Sequence, residues 1–197
     1  MRIHLLILFA ALLPAAARAA EETKRLNVLL ITADDLNYDS LGVTGSAAPE
    51  ISPNLDAFAR QGVLFTAAHV NVAVCQPCRQ TLMTGRYPHR HGGVGFNPID
   101  RDVPTLGERL HAAGYHQGIL AKVAHLAPQE KHHWDFVAEP NELGNGRDAA
   151  KYHERTAAFF KEAEGAGKPF FLMANAQDPH RPFAGIVAGR RGGGVGV

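Results

Sequence analysis

The sequence predicts an α/β protein with a mostly parallel sheet. Short apolar, β-prone runs recur at 26–32, 115–121 and 169–174, and helix-compatible stretches with cap signals separate them. Strands alternating with helices in this way build a layered α/β domain. The length, 197 residues, suits one domain.

The first strand is Leu26 to Thr32, a continuous apolar run that reads as buried on both faces. It ends at Asp34-Asp35, so two carboxylates sit just past a strand end. Ser52-Pro53 opens a helix, with Ser52 suited to the cap and Pro53 to the first turn. Leu55, Phe58 and Ala59 share one face, and Gly62 marks the end. Val63 to Ala67 reads as another strand. Thr105 caps the next helix, with Glu108 at the capping-box position, and that helix runs to Gly114. Tyr115 to Ala121 is a strand, Ala149 to Ala163 a helix, and Pro169 to Ala174 a buried strand. Ligands of such sheets gather beyond the carboxyl ends of the strands. Asp34, Asp35, Lys122 and the 178–180 segment all follow strands, so one edge is expected to collect them.

Both termini stand apart. Arg2 and His4, the apolar run Leu5 to Leu13, and Ala17-Arg18-Ala19 form the layout of a secretory signal peptide over residues 1–20. The apolar run is shorter than the roughly 20 residues a bilayer span needs. Removal of residues 1–19 takes away Arg2 and Arg18 and turns the net charge from +1 to −1. The expectation is an exported, secreted or periplasmic protein without a membrane span. Residues 184–197 contain six glycines and no periodicity, and read as a flexible tail or the ragged end of an incomplete chain.

Composition narrows the function. With 20 basic against 19 acidic residues, nucleic-acid binding through bulk positive charge is excluded. Two cysteines are too few for a disulfide scaffold. Eleven histidines supply groups for proton transfer or metal binding. His132, His133 and Trp134 read as a loop, with a metal tract or sugar-stacking patch as the functional alternative, and His89 and His91 read as structural.

The chemistry is concentrated in Val74-Cys75-Gln76-Pro77-Cys78-Arg79-Gln80-Thr81-Leu82-Met83-Thr84-Gly85-Arg86. Cys75 precedes a helix-compatible run, and Arg79 lies one turn on. A helix N-terminus and a guanidinium both favour negative charge there. A nucleophile facing an anionic group and a redox thiol pair are both uses of such a place.

The segment resembles the signature of the type I sulfatases, Cys-x-Pro-x-Arg followed by Thr-Gly-Arg. Cys75, Pro77, Arg79, Thr84, Gly85 and Arg86 match at the family spacing. The strand ending in Asp34-Asp35, the run from Ser52-Pro53-Asn54-Leu55-Asp56 to Phe65, Gly114-Tyr115 to Lys122, and Pro169-Phe170-Phe171 to Pro182 are similar to further family blocks, in family order. The resemblance covers about residues 25–183. It implies the three-layer α/β/α sandwich of the alkaline phosphatase superfamily.

It also implies a mechanism. The signature cysteine, here Cys75, is oxidised by a separate maturation enzyme to Cα-formylglycine. The hydrated aldehyde attacks sulfur with one hydroxyl, and the second hydroxyl expels sulfate. Asp34 and Asp35 would be oxygen ligands of Ca²⁺, with the modified Cys75 beside the ion. Arg79 would hold the formylglycine, Lys122 and His180 would contact sulfate oxygens, and His125 would assist proton transfer. The substrate class is a sulfated small molecule or glycan, with a heparan N-sulfatase-like branch suggested by 122–135 and 178–182.

The sequence departs from the family in two places. The usual Gly-Lys-x-His is Ala121-Lys122-Val123-Ala124-His125 here, one residue longer. The acidic pair and second lysine that complete the family's site lie well after the Pro-His-x-Pro block. Residues 21–183 are therefore expected to be the N-terminal part of a sulfatase catalytic domain, without the full ligand set. Three other readings accompany this one. The first is a phosphatase or phosphodiesterase of the same superfamily, against which the cysteine stands. The second is an exported thiol–disulfide oxidoreductase using Cys75 and Cys78. The third is a non-enzymatic remnant or binder of sulfated glycans.

Overall fold

The computed structural model describes residues 25–183. The signal-peptide and glycine-tail readings lie outside the described residues. Four strands form one sheet in the order β1-β4-β2-β3, with every neighbouring pair parallel. They are β1 (Val28–Asp34), β2 (His116–Leu120), β3 (Phe136–Ala138) and β4 (Phe170–Pro179). The helices are α1 (Pro53–Ala59), α2 (Cys75–Thr84), α3 (Pro88–His91), α4 (Leu106–Ala112) and α5 (Ala149–Ala166).

The pleat divides the core in two. Ile119, Phe171 and Met173 join Met83 of α2 with Val123 and Leu126 in one cluster, against which Leu110 of α4 packs. Leu120 and Leu172, their neighbours in the strands, join Phe159 of α5, Ala138 and Leu143 in the other. Alternate residues of a strand face opposite sides, so the two clusters make three layers, as the sequence predicts. Gly118 is required where α5 crosses the sheet. A Cβ there would come within 2.5 Å of the Phe159 ring.

Local signals explain most boundaries. Thr105 and Glu108 form the reciprocal capping box at α4. Asp148 caps α5 by accepting from the amides of Ala150 and Lys151, and Gly167 closes it in the left-handed conformation. Ser52 precedes α1, but its hydroxyl makes no cap bond; it donates to Asp56 and accepts from the Gly42 amide. That α1 ends at Ala59, three residues before Gly62, is a small difference from the expectation.

Two expectations fail. β1 is not buried on both faces: Leu29 is exposed and Ile31 is 64% exposed. Among the described residues it is an edge strand paired with β4; Leu30, Thr32 and Asp34 face the core side, while Leu29, Ile31 and Ala33 on the other face are exposed. Val63 to Ala67 forms no strand, and Phe65 is 75% exposed. An apolar run becomes a strand only where a ladder offers partners, and this segment pairs with no strand of the sheet.

The His132–Trp134 segment is not a sugar-stacking patch. The His132 ring is fully enclosed and lies parallel to Trp134, with centroids 5.7 Å apart, and Trp134 in turn lies on Phe171. Burial pushes the His132 pKa from 6.5 down to about 4. His91 is likewise buried and accepts from the Gly93 amide, a structural role.

Two predictions follow from this core. Phe159→Ala should lower the unfolding free energy by about 3–5 kcal/mol in urea titration. Between pH 6.5 and about 4 the unfolded chain holds a proton on His132 that the folded chain lacks. Stability from this group is thus present above pH 6.5 and lost as pH falls toward 4. His132→Gln should flatten that part of the stability profile, and NMR titration of the wild-type ring should show no protonation until near pH 4.

Candidate active site

The carboxyl ends of β1, β4 and β2 meet the N-terminal half of α2. Register sets the arrangement: Thr32 lies opposite Asn175, and Asp34 opposite Pro179. The residue after Pro179 is His180, so Asp35 and His180 arrive side by side, with Nε2 3.9 Å from Oδ2.

Arg79 is the hub. Its guanidinium donates to Thr32 Oγ1 at 2.7 Å and to Asn175 Oδ1 at 2.6 Å, and lies 3.6 Å from Asp34 Oδ1. It is almost wholly buried. Burial lowers its pKa and Asp34 opposes that shift; an arginine keeps its charge throughout. The other oxygen of Asp34 pairs with the Lys122 ammonium. Asn175 is fully buried, and its amide donates to the carbonyls of Leu120 and Ala121, which lead into Lys122. One side chain therefore ties α2, β1, β4 and the β2 exit together.

The lysine–histidine segment has an unusual backbone. Ala121 and Lys122 both adopt left-handed conformations, with φ of 56° and 57°, and Val123–His125 forms a 3-10 turn. Asp35 is left-handed too, at 61°. Each such non-glycine residue costs about 1–2 kcal/mol, and strain of this kind concentrates where side chains are held for use. The turn brings His125 into the field of Lys122, Arg79, Asp34 and His180. Burial, then the two cations, lower its pKa to about 4. It is neutral at pH 7, and its buried Nδ1 has no hydrogen-bond partner.

Cys75 opens α2 directly after extended Val74 and is half-buried with a free thiol. It borders an open cavity of about 700 Å³ lined also by Asp34, Asp35, Cys78, Arg79 and Arg181. Substrate pockets for small ligands have this size. Among the described residues, no three His, Cys, Asp or Glu side chains come together as a metal-binding group. The donor chemistry of Asp34 and Asp35 suits a hard cation, and two carboxylates supply part of the six to eight oxygens that Ca²⁺ takes.

Thus Asp34, Asp35, Arg79 and Cys75 line one cavity, while Lys122 and His180 reach its edge through their pairing with Asp34 and Asp35, and Lys122, His125 and His180 do not line it. Sequence reasoning missed Thr32, Asn175 and Arg147. Asn175 carried a signal, an amide directly after the apolar run Phe170–Ala174 of β4. Arg147 pairs with Asp178 at 2.7 Å and donates to the carbonyls of His180 and Pro182, fixing the loop that carries His180. Nothing in its local sequence marks it.

The parallel α/β sheet carries fixed cations, a neutral histidine and a helix-start cysteine at its carboxyl edge. Comparison with known proteins places it further. The sulfatase family model matches residues 26–186, and the chain belongs to the sulfatase family. It is 34% identical over 166 residues to N-sulphoglucosamine sulphohydrolase of Homo sapiens, covering 79% of this chain and 32% of that one. It is 31% identical over 160 residues to an ulvan-active sulfatase of Formosa agariphila, covering 80% and 31%. The solved structure of BT4656 in complex with its substrate, D-glucosamine-2-N,6-O-disulfate, aligns with a TM-score of 0.65 at 26% identity, covering 80% of this chain and 35% of that one. The chain spans about a third of the length of these relatives.

Asn175→Ala orphans the two carbonyls and removes a partner of the buried guanidinium. At about 1–3 kcal/mol for each unsatisfied group, the unfolding free energy should fall by about 3 kcal/mol or more, measured by denaturant titration.

Proposed function

We propose that the protein is a hydrolase of sulfate esters or sulfamates on sugars, and that residue 75 works as Cα-formylglycine after a maturation enzyme oxidises the thiol. The observation that carries this reading is the Cys75–Arg79 signature at the start of α2, opening into the cavity beside Arg79 and Asp34. The names of the relatives, acting on sulfamated or sulfated sugars, support the substrate class. Residues 21–183 are read as the N-terminal part of the catalytic domain, and residues 1–20 as an export signal that would make the enzyme secreted or periplasmic. No helix of the described residues is long and apolar enough to cross a membrane.

The side chains divide the work. The hydrated aldehyde would supply the nucleophilic oxygen. Arg79, locked by Thr32, Asn175 and Asp34, holds α2 against the sheet edge and contributes positive charge near residue 75. Lys122 and His180 would take sulfate oxygens, where preorganised charge counts more than base strength. His125 is the candidate for proton transfer at the hydrated aldehyde; burial and the neighbouring cations keep its ring neutral at pH 7. Asp34 and Asp35, with residue 75, would contribute to holding Ca²⁺, which supplies charge to polarise the bound sulfate.

Inorganic sulfate release from N-sulfoglucosamine and from an aryl sulfate tests the reading, with the protein co-expressed with a formylglycine-generating enzyme and phosphate esters as controls. Cys75→Ala should abolish release, and Lys122→Ala should lower kcat by about 10²–10³-fold. Sulfate release retained by Cys75→Ala, or a preference for phosphate, would overturn it.

A further inference from the structure

The sulfatase reading leaves Cys78 without a task. It stands one helical turn beyond Cys75, its thiol is free, and it borders the same open cavity. Helix geometry sets their Cα atoms about 5 Å apart, inside the 4.4–6.8 Å range of protein disulfides. The side chains of such neighbours lie about 5–6 Å apart at Cβ, against roughly 3.8 Å in a disulfide. The gap must close by movement of one residue, and Cys75 is the one free to move. It is the first residue of α2, its predecessor Val74 is extended at φ −136° and ψ 139°, and no side chain caps that end. Cys78 is anchored in the helix by its amide bond to the Val74 carbonyl.

We propose that Cys78 is a resolving thiol for Cys75, so that oxidation produces a reversible Cys75–Cys78 disulfide. The oxidant is a small or protein disulfide, of the kind an oxidising compartment supplies. One thiol, as thiolate, attacks a sulfur of the oxidant and releases one reduced thiol, leaving a mixed disulfide on Cys75. The Cys78 sulfur then attacks the Cys75 sulfur and releases the second reduced thiol. Two thiols are oxidised and one disulfide is reduced, with both protons passing to the departing thiols. The internal bond shields Cys75 from bulky adducts and holds it out of aldehyde formation until it is reduced. That last consequence rests on the sulfatase reading; the pairing does not.

The test uses the unconverted chain, incubated with oxidised glutathione, quenched with a maleimide and weighed intact. The wild type should lose both thiols, keep no glutathione and take no maleimide. Cys78→Ser should instead retain one glutathione, mapped to Cys75 by peptide analysis. Wild-type chain that keeps glutathione or takes two maleimides overturns the proposal, and so does a Cys78→Ser variant that retains none. After reduction, incubation with a formylglycine-generating enzyme separates the two ideas: a disulfide that forms normally in a chain that never yields an aldehyde refutes the sulfatase reading and leaves the resolving thiol standing.

Discussion

The buried contact between Arg79 and its three partners is the constraint on which the site depends. A guanidinium inside a protein must be matched in charge and in hydrogen bonds, or its burial costs several kcal/mol. Here Asp34 supplies the charge, and Thr32 and Asn175 supply the oxygens. These partners come from two strands, and Arg79 itself from a helix. Satisfying one cation therefore fixes the distance between α2 and the sheet edge. Cys75 lies four residues earlier, at the uncapped first position of the same helix, so the edge it reaches is set by Arg79 while its own end of the helix keeps some freedom.

The network also sets the charge of the site. Asp34 is shared between Arg79 and Lys122, with Asp35 facing His180 across the rim. The Asp35–His180 contact is partly exposed, and pairs of that kind contribute little to stability. Its use lies in placement. The buried pairs hold the frame, while the rim groups remain free to change partners when an anion or a cation enters. Tyr152, whose hydroxyl donates to the Asn175 carbonyl, extends the frame to α5, and its burial pushes its pKa up to about 12.

Much of this was legible in the sequence. The strand ends named the edge where Asp34, Lys122 and His180 converge, and the capping box at Thr105 fixed the start of α4, which ends at Ala112, two residues before Gly114. The failures have physical causes. The 26–32 run looked like a central strand because its composition is that of one, but composition cannot say which strands flank it, and β1 lies at an edge with Ile31 in the open. The 63–67 run has strand composition and no ladder to join. Asn175 and Arg147 act over long separations in the chain, so no local pattern announces them. The extra residue before His125 departs from the family spacing, and the backbone there takes two left-handed residues and a 3-10 turn, with His125 in the field of Lys122. Whether a spacing fits depends on backbone conformation, which a motif does not state.

The account finally depends on what residue 75 becomes. Its most direct test is chemical capture of a carbonyl: the reduced protein, exposed to the maturation enzyme, is treated with a hydrazide probe, and the labelled peptide is sequenced by mass spectrometry. The account predicts label on residue 75, dependent on the presence of Cys75. Complete recovery of unlabelled cysteine at that position, from protein in which the maturation enzyme converts a control substrate, would contradict it.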